Sequence, residues 1–226
     1  MTGTQQVVRL EVRLGLEDVL RAMGCRDRRR VSPPVLKAAE RILEAGGTVL
    51  ADCVYSIHNV VGMTDTQIEL QGCPPICGPI AGFVKPARRV AVFVLTLGWE
   101  IEKRAQRLLT QGALFEGYAW NAVGSAGADL AVDALTQHLL ACEVRPDEAV
   151  TPPFSPGYCG MGLDQQKVVF EILDPSVIGV RLTETCMMQP AKSVSGLLGI
   201  GPEAEVRERG VPCQWCDLET CSMRRG

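Results

Sequence analysis

The sequence predicts an α+β fold in which long helices cover one side of a mostly antiparallel sheet. Several segments carry the apolar spacing and end signals of helices, and others are short runs rich in β-branched residues. The two kinds of segment do not alternate as regular βαβ units, which favours an antiparallel sheet. With 46% hydrophobic and 22% charged residues among 226, the chain is expected to bury a substantial globular core.

Four segments have the pattern of helices. In the first, "VSPPVLKAAERILEAGG", Ser32 is the N-cap, Pro33 opens the helix and a glycine pair ends it. The others are "WEIEKRAQRLLTQG", the long "ALFEGYAWNAVGSAGADLAVDALTQHLLACEV" and the short "LDQQKVVFEIL". Small residues at 124–128 in the long helix permit close approach by another backbone or a ligand.

Five segments are predicted to be strands. Two of them, "TVLADCVYSIHNVVG" and "TDTQIEL", are rich in β-branched residues, and "RRVAVFVLTLG" is a continuous apolar run that suits a central strand. The last two, "IGVRLTET" and "SVSGLLGIG", are separated by a break at Met188-Gln189-Pro190. Between the long helix and these strands, the proline-rich "RPDEAVTPPFSPGY" is predicted to be a loop.

The charge pattern argues against nucleic acid or a membrane as a partner. The formal net charge is -3 and the pI is near 5.5, and the one basic run, "RDRRR" at 26–30, is expected on a solvated connection. The first residues lack the pattern of a signal peptide, and no apolar run approaches the roughly 20 residues that span a bilayer. We therefore expect a cytoplasmic location.

A short turn, "SPGYCG" at 155–160, is the first candidate site. Pro156 fixes its own φ, and Gly157 can adopt backbone conformations closed to other residues, so a ligand could approach the main chain there. Tyr158 adds a flat face with a hydroxyl at its tip. The alternative interpretation is an ordinary surface turn followed by a strand.

The cysteines suggest a second site at the end of the chain. Ten cysteines in a cytoplasmic protein of this size should be mostly reduced, buried or metal-bound. Cys213, Cys216 and Cys221 have C-x2-C-x4-C spacing, which can chelate zinc or an iron-sulfur cluster once a fourth ligand is found. Candidates for that ligand are Cys159, Cys186, Cys73, Cys77, His58 and His138. We therefore divide the chain into a domain at 1–205 and a cysteine-rich tail at 206–226.

The remaining polar motifs favour structure over chemistry. "CPPIC", with Cys73 and Cys77, is interpreted as a rigid loop with structural cysteines. His58 lies in a predicted strand and His138 in a predicted helix, and neither has a partnered nucleophile or acid in the sequence. The sequence contains no phosphate-binding glycine loop, HExxH or GxSxG motif.

Two quoted stretches together, "SPGYCGMGLDQQKVVFEIL" and "IGVRLTETCMMQPAKSVSG", resemble the activation domain of cobalamin-dependent methionine synthase. The similarity is to the stand-alone members of that family, covers 155–196, and extends more loosely upstream. It implies a helmet-shaped α+β fold that binds S-adenosylmethionine and presents its methyl group to a cobalamin carried by a partner. In the family, reduction and methylation of cob(II)alamin restore methylcobalamin. Because the methyl donor is already activated, no catalytic acid, base or nucleophile is expected.

The resemblance also implies which residues bind the ligand. Gly157 and Tyr158 match the family's turn beside the ligand, and Asp129 stands where an acidic residue can face its positive end, although a helix-surface carboxylate is an equal alternative. The opposite wall is matched by Met188, Pro190, Ser193 and Ser195. Lys192 is interpreted as a solvated strand residue.

Two positions depart from the family pattern. Pro153 stands where an arginine commonly holds the ligand carboxylate, and the nearest upstream arginine is Arg145. The family domain also carries a tyrosine-containing strand after Ser-Val-Ser-Gly, whereas this chain has "LLGIGPEAEV". These departures bear on S-adenosylmethionine binding more than on the fold.

The leading hypothesis is a stand-alone reactivation module for a corrinoid methyltransferase such as methionine synthase. Its partners would be that enzyme, or its cobalamin-binding domain, and a reductant protein. The alternative is a metal- or iron-sulfur-containing partner for electron transfer that does not bind S-adenosylmethionine. A metal-stabilised scaffold without a redox role is the third possibility.

Overall fold

The structure is a computed structural model that describes residues 3–25, 27–158 and 160–208. In chain order the elements are β1 (Gln6–Arg13), α1 (Leu16–Ala22), α2 (Pro33–Gly46), β2 (Thr48–Met63), β3 (Gln67–Leu70), β4 (Ile76–Cys77), α3 (Ile80–Phe83), β5 (Arg89–Thr96), α4 (Glu100–Thr110), α5 (Leu114–Cys142), β6 (Glu148–Val150), α6 (Gln165–Ile172), β7 (Arg181–Leu182), β8 (Met188–Gln189), β9 (Ser193–Pro202) and α7 (Glu203–Glu208). Single 3-10 turns lie at Arg28–Arg30 and Pro175–Ile178.

In the described part of the chain, seven strands form one sheet in which every pairing is antiparallel. The order is β4-β3-β2-β5-β9-β6, and β1 also pairs with β2. Because β2 has 16 residues, it can pair with β1 along its first half and with β3 along its second half, in addition to β5. The predicted α+β class, a mostly antiparallel sheet covered by long helices, is confirmed.

β5 is buried on both faces of the sheet, as its continuous apolar run predicts. Ala91, Phe93 and Leu95 face a core formed with α1, α2, α4 and α5. Val92 and Val94 face a second core formed with α3, α6 and the segment that precedes α6. Alternate residues of a strand point to opposite faces, so only a strand covered on both sides lacks the polar alternation.

α5 crosses the helical side of the sheet and uses its small residues for close packing. A Cβ added at Gly127 would lie 2.9 Å from a Leu97 methyl carbon and 3.2 Å from a Val49 methyl carbon. At Gly124 it would lie 2.9 Å from Lys192 Cε and 3.0 Å from an Ile101 methyl carbon. The small residues of 124–128 therefore let α5 approach the ends of β2, β5 and β9, where the candidate site lies.

Three sequence-based predictions need correction. The predicted loop 145–158 contains β6, and Phe154 pairs with Leu197, because the outer side of β9 offers main-chain partners. The predicted strand "IGVRLTET" reduces to β7, which pairs with β8 in a separate two-stranded sheet. The break at 188–190 is therefore the second strand of a small hairpin, followed by a cis Gln189-Pro190 peptide bond. By contrast, Arg28–Arg30 is exposed on a connection, as expected.

None of the helices in the described ranges combines the length and apolar character needed to cross a membrane.

An ion pair fixes the end of the sheet farthest from the candidate site. Arg89 donates to Glu148 Oε2 and to the Glu143 carbonyl at 3.0 Å, and both ion-pair side chains are largely buried. Burial opposes ionisation of Glu148, but hydrogen bonds from the Arg145 main chain and from Arg89, together with the charges of both arginines, outweigh it. The pKa of Glu148 is therefore lowered.

Replacing Arg89 by Met is expected to lower the free energy of unfolding by roughly 1 to 3 kcal/mol at neutral pH, the range for a charged hydrogen bond. The folded pKa of Glu148 lies below its ordinary value of 4.5. The stability that the ionised carboxylate contributes is therefore fully present well above pH 4.5, and it is lost as pH falls through the folded pKa. Denaturant unfolding between pH 3 and 7 (about the range in which carboxyls titrate) should show the difference between wild type and variant shrinking at acid pH. A difference independent of pH would contradict the assignment.

Candidate functional site

The outer side of β9 is covered along only part of its length. β6 pairs with Ile200–Pro202. Beyond it, the Thr151 N–H donates to the Gly199 carbonyl at 2.8 Å, and Phe154 and Leu197 exchange two main-chain bonds of 3.0 and 2.8 Å. The chain then turns away from the strand at Ser155. Among the described residues, the half of β9 nearest its start therefore has no neighbouring strand on this side.

Ser193 and Ser195 carry the uncovered main-chain groups, which we call the open edge. The pairing of β9 with β5 runs in unbroken register from Arg89↔Ile200 to Thr96↔Ser193, so alternate residues point their N–H and C=O groups outward. Leu197 points outward to Phe154, and Ser195 and Ser193 follow at the same spacing. Within the described residues, nothing bonds to the main chain of either serine on this side. Ser195 is buried and Ser193 is partly exposed, so a ligand with donors and acceptors could reach the edge first at Ser193.

The Pro-Gly-Tyr turn begins directly after the last covered residue of this edge. Within it the Tyr158 N–H donates to the Ser155 carbonyl at 3.1 Å, and the Gly157 N–H donates to the Met161 carbonyl at 2.9 Å. Gly157 has φ +91°, a value that favours glycine, and Met161 is buried in the second core. The side chain of Tyr158 is 62% exposed. The turn therefore offers an accessible aromatic face near the open edge.

The serine hydroxyls of the predicted wall are already used by the fold. Ser195 Oγ is buried and donates to Gln166 Oε1 of α6 at 2.8 Å. Ser193 Oγ bonds to Thr96 Oγ1 at 2.8 Å and to the Pro190 carbonyl at 2.7 Å. If these serines bind a ligand, they do so through their main-chain groups on the open edge.

Met188 and Pro190 stand before β9 and shape its start. Met188 lies in β8 and packs partly buried against the second core, and Pro190 is buried. Neither side chain is an exposed contact surface. They support the position of the open edge, while their predicted contact with a ligand stays a prediction.

Asp129 lies on the exposed side of α5, one helical turn after Ser125. Ser125 in turn accepts a 3.0 Å hydrogen bond from Lys192 Nζ, which joins this face of α5 to the start of β9. Asp129 is thus on the helical side of the open edge, and the turn with Tyr158 is on the other.

Lys192 is half-buried, so its interpretation as a solvated strand residue is wrong. Its stem crosses Gly124, where the missing side chain leaves room for it. Burial lowers the pKa of the Lys192 ammonium, and the nearby negative charge of Glu102 partly opposes this. The sequence does contain a signal for the burial of Lys192. The lysine stands directly before a strand, and the helix that faces it has small residues at 124–128 that leave room for a long side chain.

Arg145 lies at the other end of β9 from the open edge. Its main-chain N–H donates to Glu148, and its side chain borders a small cavity of about 200 Å³ beside Arg88 and Arg89. β6 pairs this region with Pro202, nine residues of strand away from Ser193. Arg145 therefore does not stand in for an arginine at Pro153.

His58 and His138 both have structural hydrogen bonds. His58 is buried, bonds to Ser56 Oγ at 2.7 Å and has Cys73 Sγ 3.2 Å from its Nδ1. Burial lowers the pKa of His58, partly offset by a main-chain hydrogen bond involving Gln71. His138 Nε2 lies 3.2 Å from the Tyr55 hydroxyl. These contacts support the interpretation of both histidines as packed side chains.

No group of three or more metal-binding side chains occurs in the described part of the chain. Cys213, Cys216 and Cys221 lie outside the described residues, as does Cys159, so the predicted metal site stays a prediction.

A larger concavity than the one beside Arg145 lies between the end of α2 and α4. It measures about 610 Å³ and includes Arg107 and Gln111. The Arg104 guanidinium covers the Trp120 ring at 3.8 Å from its centroid. The sequence did not suggest this groove, because its walls come from segments far apart in the chain.

The fold resembles that of known proteins. The sequence model of the vitamin B12 dependent methionine synthase activation domain matches residues 150–210, the stretch that contains the turn, the hairpin and β9. A crystal structure of the MetH reactivation domain bound to AdoHcy superposes with a TM-score of 0.67 at 15% identity, covering 93% of this chain and 89% of that one. The chain has the fold of the methionine synthase reactivation domain. No curated protein matches it in sequence.

The reactivation-domain fold confirms the resemblance carried by the two quoted stretches. The family match ends at residue 210, and the structural similarity extends over nearly the whole chain, including the N-terminal strands that the sequence alone did not connect to the family.

Proposed function

We propose that this chain binds S-adenosylmethionine and supports the reductive methylation of cob(II)alamin in a corrinoid methyltransferase such as methionine synthase. The observation that carries the proposal is that one matched stretch, 150–210, contains both the exposed Pro-Gly-Tyr turn and the open edge of β9. The AdoHcy bound to the similar reactivation domain differs from S-adenosylmethionine by the transferred methyl group, which supports the ligand class.

The chain's contribution to this reaction is binding and orientation. The open edge offers main-chain donors and acceptors at Ser193 and Ser195, and Tyr158 offers an apolar face for a planar base. Asp129 stands on the helical side of the edge, where a carboxylate favours a sulfonium. The methyl donor is already activated, so alignment with the acceptor can supply the acceleration without an acid or base.

The cobalamin would be supplied by the partner, either a corrinoid methyltransferase or its cobalamin-binding domain. Tyr158 is exposed and Ser193 is partly exposed, which leaves this side of the candidate site accessible to such a partner. A reductant protein would supply the electron that cob(II)alamin requires before methylation. The chain is proposed to act as a stand-alone module in that complex.

Replacing Tyr158 by Ala is expected to weaken S-adenosylmethionine binding by roughly 1 to 3 kcal/mol, through loss of aromatic packing and hydrogen bonding. Titration calorimetry of wild type and variant measures the difference. The matched control is Tyr118→Ala, because Tyr118 is also exposed but lies near the start of α5, where its hydroxyl donates to the Met23 carbonyl. No binding to wild type, alone or with a cobalamin-carrying partner, would overturn the proposal.

The C-x2-C-x4-C spacing favours a second candidate function: a metal- or iron-sulfur-containing partner that transfers electrons to a corrinoid protein and does not bind S-adenosylmethionine. Calorimetry separates the two candidates, because only the first requires ligand affinity. The metal content of the tail tests the second.

A further inference from the structure

Lys192 is a half-buried cation whose one hydrogen-bond partner among the described residues is neutral. Nζ donates to the Ser125 hydroxyl at 3.0 Å. Within the same residues, no carboxylate comes close enough to form an ion pair with it. An ammonium has three N–H donors, and removing it from water without a negative partner is unfavourable. An anionic group bound at this position would therefore stabilise both itself and the lysine.

The position of Lys192 joins it to the open edge. Its carbonyl accepts from the Leu97 N–H on the β5 side of β9 at 2.9 Å, and the next outward-facing main-chain groups are those of Ser193. Its side chain extends along α5, over Gly124 and toward Ser125. The cation is thus fixed at the start of the edge, on the side of the sheet where Asp129 lies.

A carboxylate lies in the neighbourhood of Lys192, outside ion-pair distance. Glu102 of α4 accepts a 2.9 Å hydrogen bond from the Ala191 N–H through Oε2, and its charge acts on Lys192. Its second carboxylate oxygen has no hydrogen bond to the described residues. The cation is Lys192, directly before β9, and the anion is Glu102, which accepts from the N–H of the preceding Ala191. Together they complement a ligand that carries an ammonium and a carboxylate on the same carbon.

We propose that Lys192 binds the α-carboxylate of S-adenosylmethionine and that Glu102 accepts from its α-ammonium. This inference rests on the proposed function and specifies the orientation of the ligand: the amino-acid end lies at the start of β9, and the remainder extends along the open edge toward Tyr158. Arg145 does not compete for the carboxylate, because it lies at the opposite end of the strand.

The test is the affinity of wild type and Lys192→Met for two ligands, S-adenosylmethionine and decarboxylated S-adenosylmethionine. Wild type is expected to bind the carboxylated ligand about 10- to 100-fold more tightly, the range that one charged hydrogen bond gives. Lys192→Met should lose this preference while its affinity for the decarboxylated ligand changes little. Lys192→Arg should keep most of it. Lys37→Met, at an exposed position on α2, is the matched control and should behave as wild type.

The outcomes separate this inference from the function on which it rests. If wild type binds neither ligand, the proposed function and this inference both fail. If wild type binds both ligands equally, or if Lys192→Met weakens both by the same factor, the inference is overturned and S-adenosylmethionine binding stands. Circular dichroism checks folding. Should Lys192→Met not fold, Lys192→Gln, which can keep the bond to Ser125, is measured against the same two ligands.

Discussion

Gly196→Ala is expected to lower the free energy of unfolding by about 2 to 4 kcal/mol and to abolish ligand binding at the neighbouring turn. A Cβ at this position would lie well inside van der Waals contact of the Phe154 carbonyl oxygen and 3.0 Å from the Phe93 ring. Phe93 is fully buried in the central strand and cannot retreat. The segment carrying Phe154 must therefore move, which breaks its two main-chain bonds to Leu197 and displaces the Pro-Gly-Tyr turn. Denaturant unfolding and calorimetry measure the two effects.

Gly82→Ala provides the matched control for that substitution. Its added Cβ would make an ordinary contact of 3.6 Å with the Asp65 carbonyl oxygen, within the short helix α3. Alanine favours a helix over glycine, so this variant should be as stable as wild type or slightly more stable. Equal stability of the two variants would show that β9 and the Phe154 segment are not closely packed.

The helices and the central strand could be predicted because their signals are local. α2 begins at Pro33 after Ser32 and ends beside the predicted glycine pair, although the Ser32 side chain makes no capping hydrogen bond. β5 could be placed at the centre because burial on both faces removes all polar alternation. In both cases the residues that determine the structure lie within the element itself.

β1 and β6 were not predicted, for different reasons. β1 does carry a local signal, since Leu10 and Val12 alternate with charged residues in a pattern of period two, and this could have been found. β6 is a three-residue strand beside prolines, and it forms because the end of β9 offers paired main-chain groups. That partner lies about fifty residues later in the chain, so no local pattern reveals it.

The sequence predicted the geometry of the turn in the candidate site but not the hydrogen bonds around it. Gly157 and Tyr158 could be singled out because φ preference and exposure follow from residue type, and the turn has the positive φ and the exposed ring expected of it. The family resemblance implies ligand contacts at Ser193 and Ser195, and the structure uses the hydroxyls of both residues internally. Which main-chain groups stay open on β9 depends on where the neighbouring chain departs, and sequence alone does not give that register.

The cysteine tail is expected to bind one equivalent of zinc or of an iron-sulfur cluster, and changing Cys213, Cys216 and Cys221 together to Ser should remove all of it. Three thiolates within nine residues require little ordering of the chain to surround a metal, whereas serine hydroxyls are poor ligands for either. Metal analysis of protein purified without oxygen measures the content. Cys142→Ser is the control, because Cys142 is an exposed cysteine at the end of α5 and should leave the metal in place.

The identity of the metal decides what the tail contributes to cobalt reduction. Iron with acid-labile sulfide, and a visible absorbance that bleaches on reduction, would indicate that the tail itself can pass an electron to cob(II)alamin. Zinc has no accessible redox change, so its presence would make the tail structural and assign the electron to a separate reductant protein. The prediction is wrong if neither metal is bound and the three thiols react freely with an alkylating reagent. In that case the reactivation fold would rely on S-adenosylmethionine binding alone.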